Sequence, residues 1–211
     1  MNRSYRISFD AEMRCDFDDR FLEVMASVEG MTALSFDRMW TIYTAVRSSL
    51  SVDGVFVECG VDRGGSAKFI SGVLAGSGRK LHLFDTFTGM PKTEDIDAHT
   101  EGDFPPVGID TVRAYVGNDD ATYHVGLVQD TLPELGDTKV AFAHVDCDLH
   151  SATKACCEHL YPRLSPRGVI VFDDYGRTTT FGVNKAVDRY FKDRGALIIH
   201  NIAAAQLMVV K

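Results

Sequence analysis

Four aspartates carry the chemistry that can be read from this chain. Asp146 and Asp148 stand in "HVDCDLHSATK" (144 to 154), just after the apolar run "VAFAHVD", and Asp173 and Asp174 close a second apolar run, "GVIVFDD". Side chains two apart in an extended chain share a face, so Asp146 and Asp148 are expected to point the same way. If the two runs are neighbouring strands, a spacing of about 4.8 Å gathers all four carboxylates into one small region. Anions that close raise each other's pKa unless a cation compensates. Hard oxygen donors with few soft ones favour Mg²⁺, which keeps several waters or substrate oxygens in its shell.

Zinc is the rival, because His144, Cys147, His150, Cys156, Cys157 and His159 crowd the same stretch. Strand alternation sends Cys147 away from Asp146 and Asp148. Cys156 shares a helix face with Ala152, His159 and Leu160, where a buried thiol packs as a small apolar group. His144 sits mid-strand and reads as a buried, hydrogen-bonded histidine. An aspartate-nucleophile phosphatase, suggested by "FDTFTG" and "FDD", needs a second aspartate two residues after the first, and Phe87 occupies that position.

A second constellation is the turn "VECGVDRGGSAKFI" (57 to 70). Gly60, Gly64 and Gly65 allow a tight turn and close approach to a ligand, and Ser66 is expected to cap the helix that begins there. Val61 and Asp62 stand where a dinucleotide pyrophosphate would need bare backbone, so the turn suits a ligand without phosphates. Asp85, at the end of the next apolar run, is placed to accept both hydroxyls of a ribose. A nucleoside bearing an amino-acid tail satisfies both features, and S-adenosylmethionine is such a molecule.

The elements that must position these residues follow from the pattern around them. Short apolar runs at 54–60, 80–85, 123–128, 140–146 and 168–174 alternate with helix-like stretches such as 151–164 and 182–193. Near-continuous apolarity marks strands buried on both faces, and the alternation marks a doubly wound parallel α/β sheet. The runs 196–200 and 205–211 lie too close for a helical crossover and predict an antiparallel hairpin at the sheet's end. Seven strands, mostly parallel and ending in that hairpin, are the arrangement of a class I methyltransferase (Rossmann-like) fold. Helical spacing in 21–28 and 36–50 predicts an N-terminal helical cap over residues 1–50, packed over one end of a main domain at 51–211, with Trp40 and the methionines in its core. The Gly-, Pro- and acid-rich segment 87–121 reads as a lid-like insertion.

At 211 residues the chain suits one domain of ordinary size. Its 22 Lys and Arg against 30 Asp and Glu give a net charge of −8 and no basic stripe, which argues against nucleic acid. No apolar run approaches a membrane span, and the polar opening "MNRSYRISFD" lacks a signal-peptide core, so a cytoplasmic protein is expected. Five cysteines (Cys15, Cys59, Cys147, Cys156, Cys157) without a CxxC pair predict reduced thiols.

Taken together, "VFVECGVDRGGSA", "LFDTFTGMP", "GDF", "VGLVQDTLP" and "HVDCDLHSATKACCEHLYPRLSPRGVIVFDDYG" resemble the macrocin O-methyltransferase family, over about residues 55 to 190. That family methylates sugar hydroxyls of macrolide and aminocoumarin antibiotics with S-adenosylmethionine and Mg²⁺. The resemblance implies that Asp146, Asp173 and Asp174 hold the metal and that Asp148 is the general base. It further implies that Glu58, Gly60, Gly64, Ser66, Asp85 and Asp146 face the cofactor, with Gln129, Asp130 and Thr131 near its adenine. His150 stands where relatives carry Tyr and would adjoin the substrate, as would Tyr175; Arg167 replaces a glycine before the fifth strand. The expected acceptor is a small-molecule hydroxyl, a sugar of a glycosylated natural product before a catechol, and a homo-oligomer is compatible with all of this. A non-catalytic module keeping the cofactor fold is the opposing reading, and the retained set of four acids argues against it.

Overall fold

The structure is a computed structural model that describes residues 17–211. The polar opening stretch 1–10 and Cys15 therefore lie outside the described residues. One sheet of seven strands organises the chain, in the order β3-β2-β1-β4-β5-β7-β6. β1 (Val55–Cys59), β2 (Leu81–Asp85), β3 (Thr122–Val125), β4 (Val140–Val145) and β5 (Leu164–Phe172) run parallel. β6 (Leu197–Asn201) and β7 (Gln206–Val210) form the expected hairpin, and β7 pairs antiparallel with β5. Every residue of β4 is buried, because helices cover both faces of a parallel sheet.

Alternation along the central strands divides the interior into two cores. Phe56, Leu81, Leu83 and Phe142 face a layer that contains α1 (Asp19–Ala26), α2 (Phe36–Ser49), α3 (Gly65–Leu74) and α4 (Ile109–Val116). Val57, Phe84, Ala143 and Ile170 face the short α5 (Val128–Thr131), α6 (His150–Arg163) and α7 (Phe181–Phe191). The N-terminal helices thus do not sit over one end of the sheet. α1 packs on α3 while α2 packs on α3, β4 and β5, so both belong to a face layer of the same fold. An aromatic cluster fastens them: Phe21 meets Trp40 edge-to-face at 4.9 Å and Phe69 of α3 at 5.9 Å. Such pairs contribute about 0.5–1.5 kcal/mol each beyond their burial.

Two boundaries differ from the sequence expectation. β3 ends at Val125, and Val128–Thr131 coils into α5, so the run 123–128 is a strand only in its first half. The 87–121 segment also divides. It contains α4, which packs on α3 as an ordinary crossover helix, and the chain before Gly108 and at 117–121 is irregular. Arg167 adopts φ +69°, a left-handed conformation that a glycine would take without strain.

Candidate active site

Open α/β sheets bind ligands beyond the carboxyl ends of their strands, where the strand order reverses. Here that point lies between β1 and β4, and a cavity of about 450 Å³ opens there. Gly60 makes it possible, because at φ +87° a Cβ on it would lie 2.0 Å from the carbonyl oxygen of Asp146. Gly64, also at φ +87°, is the N-cap of α3, and a Cβ on Gly65 would fall 2.5 Å from the Met31 carbonyl oxygen. These glycines serve close backbone packing as well as the turn. Ser66 lines the cavity from inside α3, where it does not act as the expected cap.

Asp146, Asp148 and Asp174 converge on the cavity, each offering an oxygen within 4.8 Å of the others. They do not meet by strand alternation, because β4 ends at Val145 and β5 at Phe172. Asp148 at φ +60° and Asp174 at φ +57° turn the chain back instead, and aspartate is among the few residues that tolerate this conformation. Burial and the Asp146 charge push the Asp148 carboxyl up to about 9, and a hydrogen bond with Asp174 adds to the shift. Burial and the Asp173 charge likewise hold Asp146 well above the carboxylate range. Three carboxylates this close, with burial and mutual repulsion raising Asp146 and Asp148, form a donor set that a hard divalent cation would satisfy.

Asp173 is engaged differently. Buried to 1 % exposure, it faces Arg38 at 2.5 Å, accepts from Gln206 Nε2 at 2.9 Å and lies 3.3 Å from His144 Nε2. Burial would raise its pKa, but His144 and Arg38 overcome this and hold it low. His144 is fully buried between Glu58, at 2.9 Å, and Asp173. Burial opposes its charge, yet Asp173 and Glu58 prevail and push it up to about 10, which favours the charged ring. The sequence reading of a buried, hydrogen-bonded histidine matches this placement. Arg38 also donates to Asp174 at 2.8 Å, joining the N-terminal layer to the site. It was missed in the sequence, where its one signal is a charge on the stripe shared with Ile42 and Ala45 of α2, at helical spacing.

The other expected positions separate into those on the cavity wall and those behind it. Asp85 is on the wall, and its carboxylate accepts from the backbone N–H groups of Val61 at 2.7 Å, Asp62 at 3.1 Å and Phe87 at 2.7 Å. It therefore ties the glycine turn to the start of the irregular segment that follows β2. Glu58 is behind the wall, fully buried, with Oε2 left without a hydrogen-bond partner. Gln129 lines the cavity together with Gly126 and Leu127, which sequence reasoning missed. Asp130 and Thr131 do not; Asp130 is exposed, and Thr131 spends its hydroxyl on the Leu127 carbonyl oxygen. His150 is off the wall and engaged by Asp97 and Glu94 of the segment that follows β2. Tyr175 is also off the wall and donates its hydroxyl to Asp188 at 2.6 Å.

Cys147 departs from expectation in the other direction. The turn after β4 cancels strand alternation, so this residue lines the cavity. A hydrogen bond with Cys156 and burial push its thiol up, which leaves it a poor zinc ligand near neutral pH.

Sheet order, terminal hairpin and a cavity at the strand-order reversal together define a class I methyltransferase fold. The model of the macrocin-O-methyltransferase (TylF) family matches residues 3–203, and the chain belongs to that family. Over 162 residues it is 32 % identical to an 8-demethyl-8-(2,3-dimethoxy-α-L-rhamnosyl)-tetracenomycin-C 4'-O-methyltransferase of Streptomyces olivaceus, covering 68 % of this chain and 62 % of the relative. It is 29 % identical to a mycinamicin III 3''-O-methyltransferase of Micromonospora griseorubida, covering 68 % and 65 %. The matches thus span less than two thirds of either relative's length. Among solved structures, the O-methyltransferase NovP superposes with a TM-score of 0.74 at 25 % identity, covering 85 % of this chain and 81 % of that one. An O-methyltransferase from Bacillus cereus in complex with SAH shares the fold at a TM-score of 0.59 and 15 % identity, covering 92 % of each chain.

Among the described residues, no helix is long and apolar enough to cross a membrane.

Proposed function

We propose that this protein transfers a methyl group from S-adenosylmethionine to a hydroxyl of a small-molecule natural product, most plainly a sugar hydroxyl of a glycoside, with Mg²⁺ at the carboxylate cluster. The observation that carries the reading is the convergence of Asp146, Asp148 and Asp174 on one cavity beside the glycine turn. The residues present fit both groups. An all-carboxylate set whose members repel one another suits a hard cation, and a cavity of about 450 Å³ at the strand-order reversal, with Asp85 on its wall, suits a nucleoside. The relatives named for rhamnosyl and mycinamicin methylation favour a sugar as the acceptor.

When bound, S-adenosylmethionine would supply the methyl group and Mg²⁺ would acidify and orient the acceptor hydroxyl. Asp146 and Asp174 are the ligands in this reading, and Asp148, whose carboxyl a bound cation would bring back down from about 9, takes the hydroxyl proton. Asp173, which the family resemblance places among the ligands, has its oxygens engaged by Arg38, His144 and Gln206 and by the Asp174 N–H. We assign it the positioning of Asp174. Geometry is most of what the protein must supply, because a sulfonium is already a good leaving group.

Chelation tests the reading. Methyl transfer to a rhamnoside acceptor, followed as a mass gain of one methyl, is expected to vanish in EDTA and to return with Mg²⁺. Undiminished transfer in EDTA would refute the metal assignment.

A further inference from the structure

Helix α6 begins two residues after Asp148 and has no cap of its own, since Leu149 occupies its N-cap position. The cap arrives from the lid. Asp97 Oδ1 accepts from the His150 N–H at 2.8 Å, across 53 residues of sequence. The same side chain closes the lid's own turn, its Oδ2 accepting from the Glu94 N–H at 2.9 Å while the Asp97 N–H donates to the Glu94 carbonyl oxygen at 2.9 Å. That turn sets Glu94 Oε2 2.9 Å from His150 Nδ1. Gly182 of α7 completes the junction: a Cβ there would lie 2.7 Å from Asp97 Oδ1 and 2.9 Å from the His150 Cβ.

The lid held at this point forms part of the cavity wall, through Met90, Pro91, His99, Phe104 and Pro105. The same cavity is lined by Asp146, Asp148 and Asp174. A lid fastened at the start of α6 is thereby indexed to the chain segment that carries Asp148.

We propose that Asp97 and Glu94 are positioning residues that latch the lid onto α6, and that His150 is the receiving half of the latch rather than a substrate contact. The latch sets the distance between the lid wall and the carboxylate cluster, and so governs how the acceptor is held. This rests on the proposed methyl transfer for its kinetic consequence, but the latch itself is defined without any ligand.

Two measurements on the full chain separate the claims. The first is amide hydrogen exchange across residues 88–107 in the protein without ligand. Loss of a helix cap weakens the capped element by an equilibrium factor of about five, so Asp97→Ala is expected to speed lid exchange about fivefold. Asp97→Asn keeps one acceptor oxygen for the His150 N–H but loses the acceptor for the Glu94 N–H, and is expected to restore part of the protection. His150→Phe, which keeps that N–H but loses Glu94, is expected to fall between the two. Exchange in β1 and β4 should not change in any of the three.

The second measurement is steady-state methyl transfer to methyl α-L-rhamnopyranoside. Asp97→Ala is expected to raise KM for the glycoside about tenfold, to change kcat less, and to leave KM for S-adenosylmethionine unaltered. Unchanged lid exchange in Asp97→Ala overturns the latch, as does faster exchange spread over the whole sheet. A changed lid exchange with equal loss of kcat and no KM effect overturns its role in holding the acceptor. If the unaltered protein transfers no methyl group to any acceptor, the proposed function fails while the exchange result still decides the latch.

Discussion

Replacing Asp148 by Asn should separate the chemistry of the site from the stability of the fold. Asp148 titrates at about 9 against an ordinary 3.8, because burial and the Asp146 and Asp174 charges disfavour its ionised form. Its folded pKa lies above its unfolded one, so folding takes up a proton between those values and becomes less favourable as pH rises through them. Below pH 4 both states are protonated and there is no penalty; above pH 9 the penalty is constant. At pH 7 the cost, at about 1.36 kcal/mol per pH unit above 3.8, is somewhat over 4 kcal/mol. Local relaxation and proton sharing within the cluster reduce this to about 2 kcal/mol, or roughly 4–8 °C in Tm for a domain of this size. Asn removes the penalty, tolerates the left-handed backbone at φ +60°, and has an amide that can donate toward Asp174 as the protonated carboxyl does.

Thermal unfolding in EDTA, scanned from pH 4 to 9, should therefore show Asp148→Asn matching the parent at pH 4 and exceeding it increasingly toward pH 9. Saturating Mg²⁺ should shrink the difference, since a cation relieves the same crowding in the parent. The same substitution should lower kcat by about 10²–10⁴, the usual contribution of a positioned base. A variant no more stable than the parent at pH 8 in EDTA would refute the charge-crowding account. A kcat within tenfold of the parent would refute the role of base.

Gly60→Ala should be damaging out of proportion to its size. The new Cβ falls 2.0 Å from the Asp146 carbonyl oxygen at φ +87°, so strain and overpacking together should cost about 2–5 kcal/mol, read as the loss of urea stability. Arg167→Gly should act in the opposite sense. It relieves φ +69° at an exposed position, and a gain of about 0.5–1 kcal/mol with unchanged methyl transfer is expected in thermal unfolding.

Much of the architecture is determined by the sequence itself. Continuous apolar runs such as Val140–Val145 can be satisfied only by burial on both faces, and the short link between Leu197–Asn201 and Gln206–Val210 leaves room for nothing but a hairpin. The acidic residues of the site were also visible, because carboxylates at the ends of apolar runs lie where parallel strands open to solvent. Which carboxylate does what was decided by tertiary structure. Strand alternation predicted a shared face for Asp146 and Asp148, but they meet through the left-handed turns at Asp148 and Asp174, beyond the strands. Asp173 was set apart from its neighbour by Arg38, 135 positions away, and by His144 and Gln206. His150 and Tyr175, placed by motif at the substrate, were claimed by Glu94, Asp97 and Asp188. Periodicity and local chemistry determine the elements and the kinds of group at their ends. The partner of each charged group depends on which distant segments the folded core brings within hydrogen-bond reach, and no local pattern encodes that.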